Sequence, residues 1–397
     1  MTKTPNSNRV HIGIFGKTNS GKSSLLNAIV GQNISLVSEF KGTTTDPVMK
    51  AMEFIPFGPV LFIDTAGFDD ESVLGNLRIN KTLKMFQRTD FAIYVIDGAE
   101  EDKISFEKTV KKFKEFNIPY ISIVNKVDIV ESEKLNLLKE KYNDAIFIST
   151  KNTEDILKLK ETIINKIEKN TKEPPIIGDL LPYNSSVIMV VPIDSEAPKG
   201  RLILPQVQVL RECLDYGIKS YVVRDAELKS ALNDIKNVDL VITDSQAFKQ
   251  VEKIIPKDMK LTSFSILFAR HKGDLNIFKK GLEKVSLLNE NSKILITESC
   301  THNTSHEDIG RVKIPKLLNK YTEKNLNYDF LTGHDFPNEK EINKYDFIIH
   351  CGSCMMNIKS MRTRLDFCLK NNISITNYGV LLAYLNGIFE RSVEIMD

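Results

Sequence analysis

Three groups of residues in this 397-residue chain have types and spacings that could do chemistry. The first is Gly16-Lys17-Thr18-Asn19-Ser20-Gly21-Lys22-Ser23. Glycines so spaced let backbone N–H groups close around phosphate oxygens, and a helix beginning there adds partial positive charge. Such a loop needs a strand before it and a helix after it. The β-branched run Val10 to Phe15 and the apolar run Ser24 to Val30 supply them. Lys22 is then expected to reach the β- and γ-phosphates of a nucleotide, and the Ser23 hydroxyl to ligate magnesium. A bland glycine-rich turn is the alternative, and the strand-loop-helix context argues against it.

The second group is three stretches in the order of the Ras-like GTPases, which residues 9 to 170 resemble. A strand Val60 to Ile63 runs into Asp64-Thr65-Ala66-Gly67. The resemblance implies that Asp64 holds magnesium through water and that the Gly67 amide bonds the γ-phosphate. A strand Tyr120 to Val124 runs into Asn125-Lys126-Val127-Asp128, similar to the guanine-reading motif. Asp128 would accept from guanine N1 and N2. Adenine offers no such pair of donors, and a buried carboxylate facing it would lose about 1–3 kcal/mol, which favours GTP. Ser149-Thr150-Lys151 resembles the base-contacting loop, with Thr150 where alanine is usual. Phe68 stands where Ras-like enzymes carry the glutamine that orients the attacking water, a task a phenyl ring cannot do. Asn19 and Gly42-Thr43-Thr44-Thr45-Asp46 resemble the potassium-activated group that includes the tRNA-modifying GTPase MnmE. That implies slow hydrolysis stimulated by K+ on Asn19, with Thr44 contacting magnesium and Lys22, Thr44 and Gly67 as the catalytic set. Asn19 could instead merely stabilise the loop by bonding nearby backbone.

The third group is sulfur and imidazole. Strand Ile294 to Thr297 ends in Glu298-Ser299-Cys300-Thr301-His302, and strand Phe347 to His350 ends in His350-Cys351-Gly352-Ser353-Cys354. In a parallel sheet strand C-termini share one edge, so both motifs should face one crevice. Cys-X-X-Cys turns two thiolates inward, and Cys300 could supply a third. Zinc completed by His302 or His350, an iron–sulfur cluster, a redox pair and no metal at all remain open on spacing alone. Cys213 and Cys368 lie in apolar helical stretches and read as core, while His11, His271, His306 and His334 read as surface or structural.

β-branched runs alternate with amphipathic helical stretches along the chain, the pattern of α/β units with parallel sheets. Three blocks are expected, at 1–172, 182–265 and 271–397. A helix Thr153 to Asn170 closes the first, and Thr171-Lys172-Glu173-Pro174-Pro175 links it onward. In the second, strands Val187 to Val191, Ser220 to Val223 and Val238 to Thr243 surround a helix near Gln206 to Tyr216. Hydrophobic content of 42% suffices for several cores, and a net charge of +2 gives no bulk field for nucleic acid or anionic lipid. No apolar run reaches the roughly 18–20 residues of a membrane span, and the first ten residues lack the apolar centre of a signal peptide. A cytoplasmic protein is therefore expected, and five cysteines, an odd and unevenly spread count in a compartment that keeps thiols reduced, argue against a disulfide framework.

Cys-X-His, then His-Cys-X-X-Cys, behind a potassium-type GTPase, resembles the HydF family of maturation GTPases and scaffolds for the iron-only (FeFe) hydrogenase. The resemblance covers all three blocks. It implies an α/β chain of three domains: an N-terminal P-loop GTPase with a parallel, Ras-like sheet, an α/β dimerisation domain, and an α/β metal-cluster domain. It implies a 4Fe-4S cluster on Cys300, Cys351 and Cys354, with the fourth iron open or held by His302 or His350. GTP with Mg2+ and K+ would act at the first domain. A transient two-iron precursor with carbonyl and cyanide ligands would be carried to apo-FeFe-hydrogenase, with two radical-enzyme maturases upstream and the chain a homodimer. The rival readings are a potassium-activated GTPase tied to RNA or the ribosome, with structural zinc, and a zinc-dependent hydrolase. Both lack support in the near-neutral charge and in a thiolate-rich, histidine-poor set.

Overall fold

The computed structural model describes residues 4–31, 36–40, 48–65, 83–170, 173–193, 200, 202–299, 308–333 and 335–396. The chain divides into two compact units, 1–172 and 173–397. The first unit is one seven-stranded sheet of β1 (Val10–Phe15), β2 (Leu36–Phe40), β3 (Val48–Phe54), β4 (Gly58–Asp64), β5 (Phe91–Asp97), β6 (Tyr120–Asn125) and β7 (Ile146–Phe147). The order is β2-β3-β4-β1-β5-β6-β7, with β3 antiparallel to both β2 and β4 and the rest parallel.

Side chains alternate across a strand, so both faces of this sheet must be covered. Ile12 and Ile14 of β1, with Ile93 and Val95 of β5, face the helices Lys22–Val30 and Thr153–Asn170. Phe15, Tyr94 and Ile96 take the other face, where Phe15 stacks on Phe86 at 4.9 Å and meets Phe113 edge-on at 5.0 Å. Helix Thr153–Asn170 buries Ile156, Leu159, Ile163 and Ile167, one stripe at helical spacing, and carries Glu154 and Asp155 in its first turn, where they suit the dipole. Leu159→Ala would cost about 2–5 kcal/mol through the cavity it leaves.

The second unit holds two all-parallel sheets. One has the order β11-β10-β8-β9, from β8 (Ser186–Val190), β9 (Lys219–Val223), β10 (Leu240–Thr243) and β11 (Leu261–Ser263). The other has the order β13-β12-β14-β15, from β12 (Lys293–Glu298), β13 (Asn327–Thr332), β14 (Phe347–His350) and β15 (Ser374–Asn377). Ile188 and Val241 of the first sheet share a continuous apolar core with Ile294 and Ile348 of the second. The helix Phe264–Lys272 is buried nearly all round, as a helix between layers must be, and touches helices of both sheets. Cys213 and Cys368 are fully buried in these cores.

Candidate functional site

β1 hands over to the loop at Gly16, whose φ of 142° and the 2.3 Å approach of a Cβ to the Val95 carbonyl admit only glycine. The loop closes on Lys22, whose Nζ donates to the Gly16 and Lys17 carbonyls at 2.8 and 2.7 Å. Ser23 Oγ donates to Asp64 Oδ2 at 2.7 Å, joining the two expected magnesium ligands directly. Burial raises the Asp64 carboxyl above its usual range, against the Ser23 hydrogen bond and the Lys22 charge, so a cation arriving there meets a carboxylate short of compensation. Asn19 sits exposed in left-handed backbone at φ 63°, Ser20 is buried, and Ser24 is exposed on the first helical turn.

The base-reading end is assembled around β6. Asn125 Nδ2 donates to the Ser20 carbonyl at 3.1 Å, and Asn125 Oδ1 accepts the Thr150 N–H at 3.3 Å. Lys126 Nζ donates to Asp97 Oδ2 at 2.7 Å. Asp128 accepts from Lys151 Nζ and from Ser149 Oγ, each at 2.8 Å, and these bonds hold its carboxyl below the usual range. Asp97 escaped the sequence reading, although an acid at the end of a parallel strand is a signal worth following. Thr44 and Gly67 lie outside the described residues, as do Phe68 and residues 42–46.

The ends of β12 and β14 are neighbours, with Thr297 opposite His350. The Cys351 N–H donates to the Thr297 carbonyl at 2.9 Å, and the Ser299 N–H and Oγ lie 3.1 and 3.2 Å from Cys351 Sγ. Cys351 is buried and Cys354 is half-buried. Burial, then the neighbouring Cys351, push the Cys354 thiol up, with Lys272 pulling it back down. A Cβ on Gly352 would meet nothing within 4 Å among the described residues. Donors on one sulfur and a second sulfur three residues on suit a soft metal centre. Cys300 and His302 lie outside the described residues, and among the described ones no group of three or more His, Cys, Asp or Glu is set to hold a metal.

His350, expected as a candidate fourth ligand, has both ring nitrogens engaged. Arg364 Nη1 lies 2.8 Å from Nε2, and Nδ1 faces the Cys351 carbonyl at 2.9 Å. A guanidinium only donates, so Nε2 accepts and the proton sits on Nδ1. That leaves no lone pair for a metal. His11 and His271 face backbone carbonyls and are structural. Lys272, Ser299 and Arg364 were not legible as site residues. The one signal was a lysine closing the apolar helical run that begins at Phe264.

A phosphate loop between β1 and a helix, with guanine-reading groups at the neighbouring strand ends, defines a P-loop GTPase domain. A family model described as "50S ribosome-binding GTPase" matches residues 11–126. Two further models match the second unit: the hydrogen maturase F dimerization domain over 176–273, and the hydrogen maturase F tetramerization domain over 276–395. The chain belongs to the HydF family of hydrogen maturases.

GTPase Der of Wolinella succinogenes is 34% identical over 177 residues, which are 42% of this chain and 37% of that protein. The tRNA modification GTPase MnmE of Francisella tularensis subsp. novicida is 36% identical over 159 residues, 39% of this chain and 34% of that one. The chain thus spans only about a third of the length of these curated relatives. Among solved structures, the G domain of the T. maritima FeoB iron transporter matches at 23% identity and a TM-score of 0.31, over 40% of this chain and 98% of that one. Among the described residues no helix is long and apolar enough to cross a membrane.

Proposed function

We propose that this chain is a GTP-hydrolysing scaffold in FeFe-hydrogenase maturation. Its first unit binds GTP with magnesium, and potassium on Asn19 stimulates hydrolysis, with Lys22, Thr44 and Gly67 acting on the γ-phosphate. In the second unit Cys300, Cys351 and Cys354 hold a 4Fe-4S cluster. With three thiolate ligands, one iron stays available to an exchangeable group, for which His302 remains the candidate now that His350 has both ring nitrogens engaged. Such an iron can accept a two-iron precursor carrying carbonyl and cyanide, which the protein delivers to apo-hydrogenase after two radical-enzyme maturases have supplied its parts. The dimerisation block makes the working form a homodimer in the cytoplasm.

The observation that carries this reading is the 3.1 Å bond from the Ser299 N–H to Cys351 Sγ, because Ser299 immediately precedes Cys300 in the chain. The maturase models over 176–395 add support, and they disfavour the RNA-associated alternative. Hydrolysis would act as a switch, since loops that order on a γ-phosphate relax once it is lost. GTP would accordingly govern partner docking or release rather than the metal chemistry.

The deciding experiment is anaerobic iron, sulfide and zinc analysis of the reconstituted chain beside Cys300→Ser. A brown protein with about four iron per chain, bleached by that change, is the expected result. Zinc in place of iron, or colour indifferent to Cys300, would remove the scaffold from this account.

A further inference from the structure

Lys272 ends the central helix Phe264–Lys272 and is only 3% exposed. Its Nζ donates to three backbone carbonyls of the loop after β14: Ser353 at 3.0 Å, Cys354 at 3.4 Å and Met356 at 2.7 Å. An ammonium has three donors, so one side chain from outside the loop fixes three of its peptides. Burying that charge is unfavourable, and carbonyl dipoles offset the loss of water only in part. The groups whose negative charge favours it are Cys354, Glu173 and Cys351. The Glu173 carboxylate answers part of that charge, and thiolates on a metal at Cys351 and Cys354 would answer more of it. A second buried cation, Arg364, reaches the same loop through His350.

We infer that Lys272 is the positioning residue of the thiolate loop and its fixed counter-charge, holding the 353–356 backbone while offsetting the negative charge of the metal–thiolate group on Cys351 and Cys354. The inference rests on the cluster reading above and goes beyond it by assigning a residue from outside the cysteine motifs. A fixed positive charge beside such a group favours its reduced, more negative form, and loop anchorage slows loss of the metal.

The test uses the full chain, reconstituted anaerobically with iron and sulfide, as wild type, Lys272→Met and Lys272→Arg. The readouts are midpoint potential and the half-time of iron loss to a chelator. Lys272→Met should have a more negative potential and lose iron roughly tenfold faster. Lys272→Arg, which keeps the charge, should restore the potential. Should Lys272→Met fail to fold, Lys272→Gln set against Lys272→Arg decides the same point. Iron-loaded Lys272→Met with the wild-type potential overturns the role of Lys272 alone. A wild-type chain that takes up no iron overturns the cluster reading, and this inference with it.

Discussion

Asn125 braces Ser20: its Nδ2 donates to the Ser20 carbonyl at 3.1 Å while its Oδ1 takes the Thr150 N–H. One buried amide thereby ties the phosphate loop to the base loop, and a Cβ on Gly21 would come within 2.2 Å of it. Asn125→Ala leaves a carbonyl and an N–H without this partner, at about 1–3 kcal/mol. Because the bonds hold the binding loops together, we expect the loss to appear in nucleotide affinity, as a rise in the Kd for GTP of about ten- to hundredfold. Calorimetric titration checks this, and an unchanged Kd would mean that the brace does not shape the site.

Asp128 presents two oxygens already engaged by Lys151 and Ser149, so guanine must compete with an internal donor. Asp128→Asn replaces one acceptor by an N–H that faces the guanine 2-amino group. The same N–H suits xanthine, which has a carbonyl there. GTP affinity should fall about a hundredfold or more, and xanthosine triphosphate should bind in its place. Competition between the two nucleotides measures the exchange, and retained GTP preference would dislodge Asp128 from the base.

The parallel core strands were legible because they are runs of buried β-branched residues: β8, β10, β12 and β14 read clearly from sequence, within about two residues of their ends. β11 is three residues long, too short for a period to emerge, and β15, Ser-Ile-Thr-Asn, carries a single apolar residue. β13 is an edge strand, Asn-Tyr-Asp-Phe-Leu-Thr, with three residues exposed and three half-buried, so its apolar signal is diluted. The nucleotide loop is contiguous in sequence and needed only its flanking elements. Lys272 was hidden for the opposite reason: it lies 81 and 84 positions from Ser353 and Met356 in the chain, and no local pattern encodes such a meeting.

His350 should mark the acid limb of stability. Burial first, then the Arg364 guanidinium, hold its imidazole down at about 3, with the Cys351 carbonyl opposing. In the unfolded chain the value is about 6.5. Between those limits the unfolded state carries a proton that the native state lacks, so native stability falls as pH drops from about 6.5 towards 3, by up to about 1.4 kcal/mol per unit. Below 3 this group adds no further loss. His350→Gln, which can still accept from Arg364, should flatten that slope. Denaturant midpoints from pH 7 to 4 compare the two chains, and identical slopes would show that His350 is charged in the native state.

Asn19 lies in left-handed backbone at φ 63°, exposed on the phosphate loop between Thr18 and buried Ser20. Asparagine tolerates that conformation better than most residues, so backbone preference alone could account for its presence. The two explanations part in monovalent salt. If the side-chain oxygen ligates potassium beside the nucleotide, hydrolysis runs faster in potassium than in sodium at equal ionic strength, and Asn19→Ala abolishes the difference. Gly tolerates the same backbone with no oxygen to offer, so Asn19→Gly preserves the loop and should likewise lose the potassium response. Rates equal in the two salts for the wild type, or a potassium response surviving in Asn19→Gly, would leave Asn19 as a turn residue only.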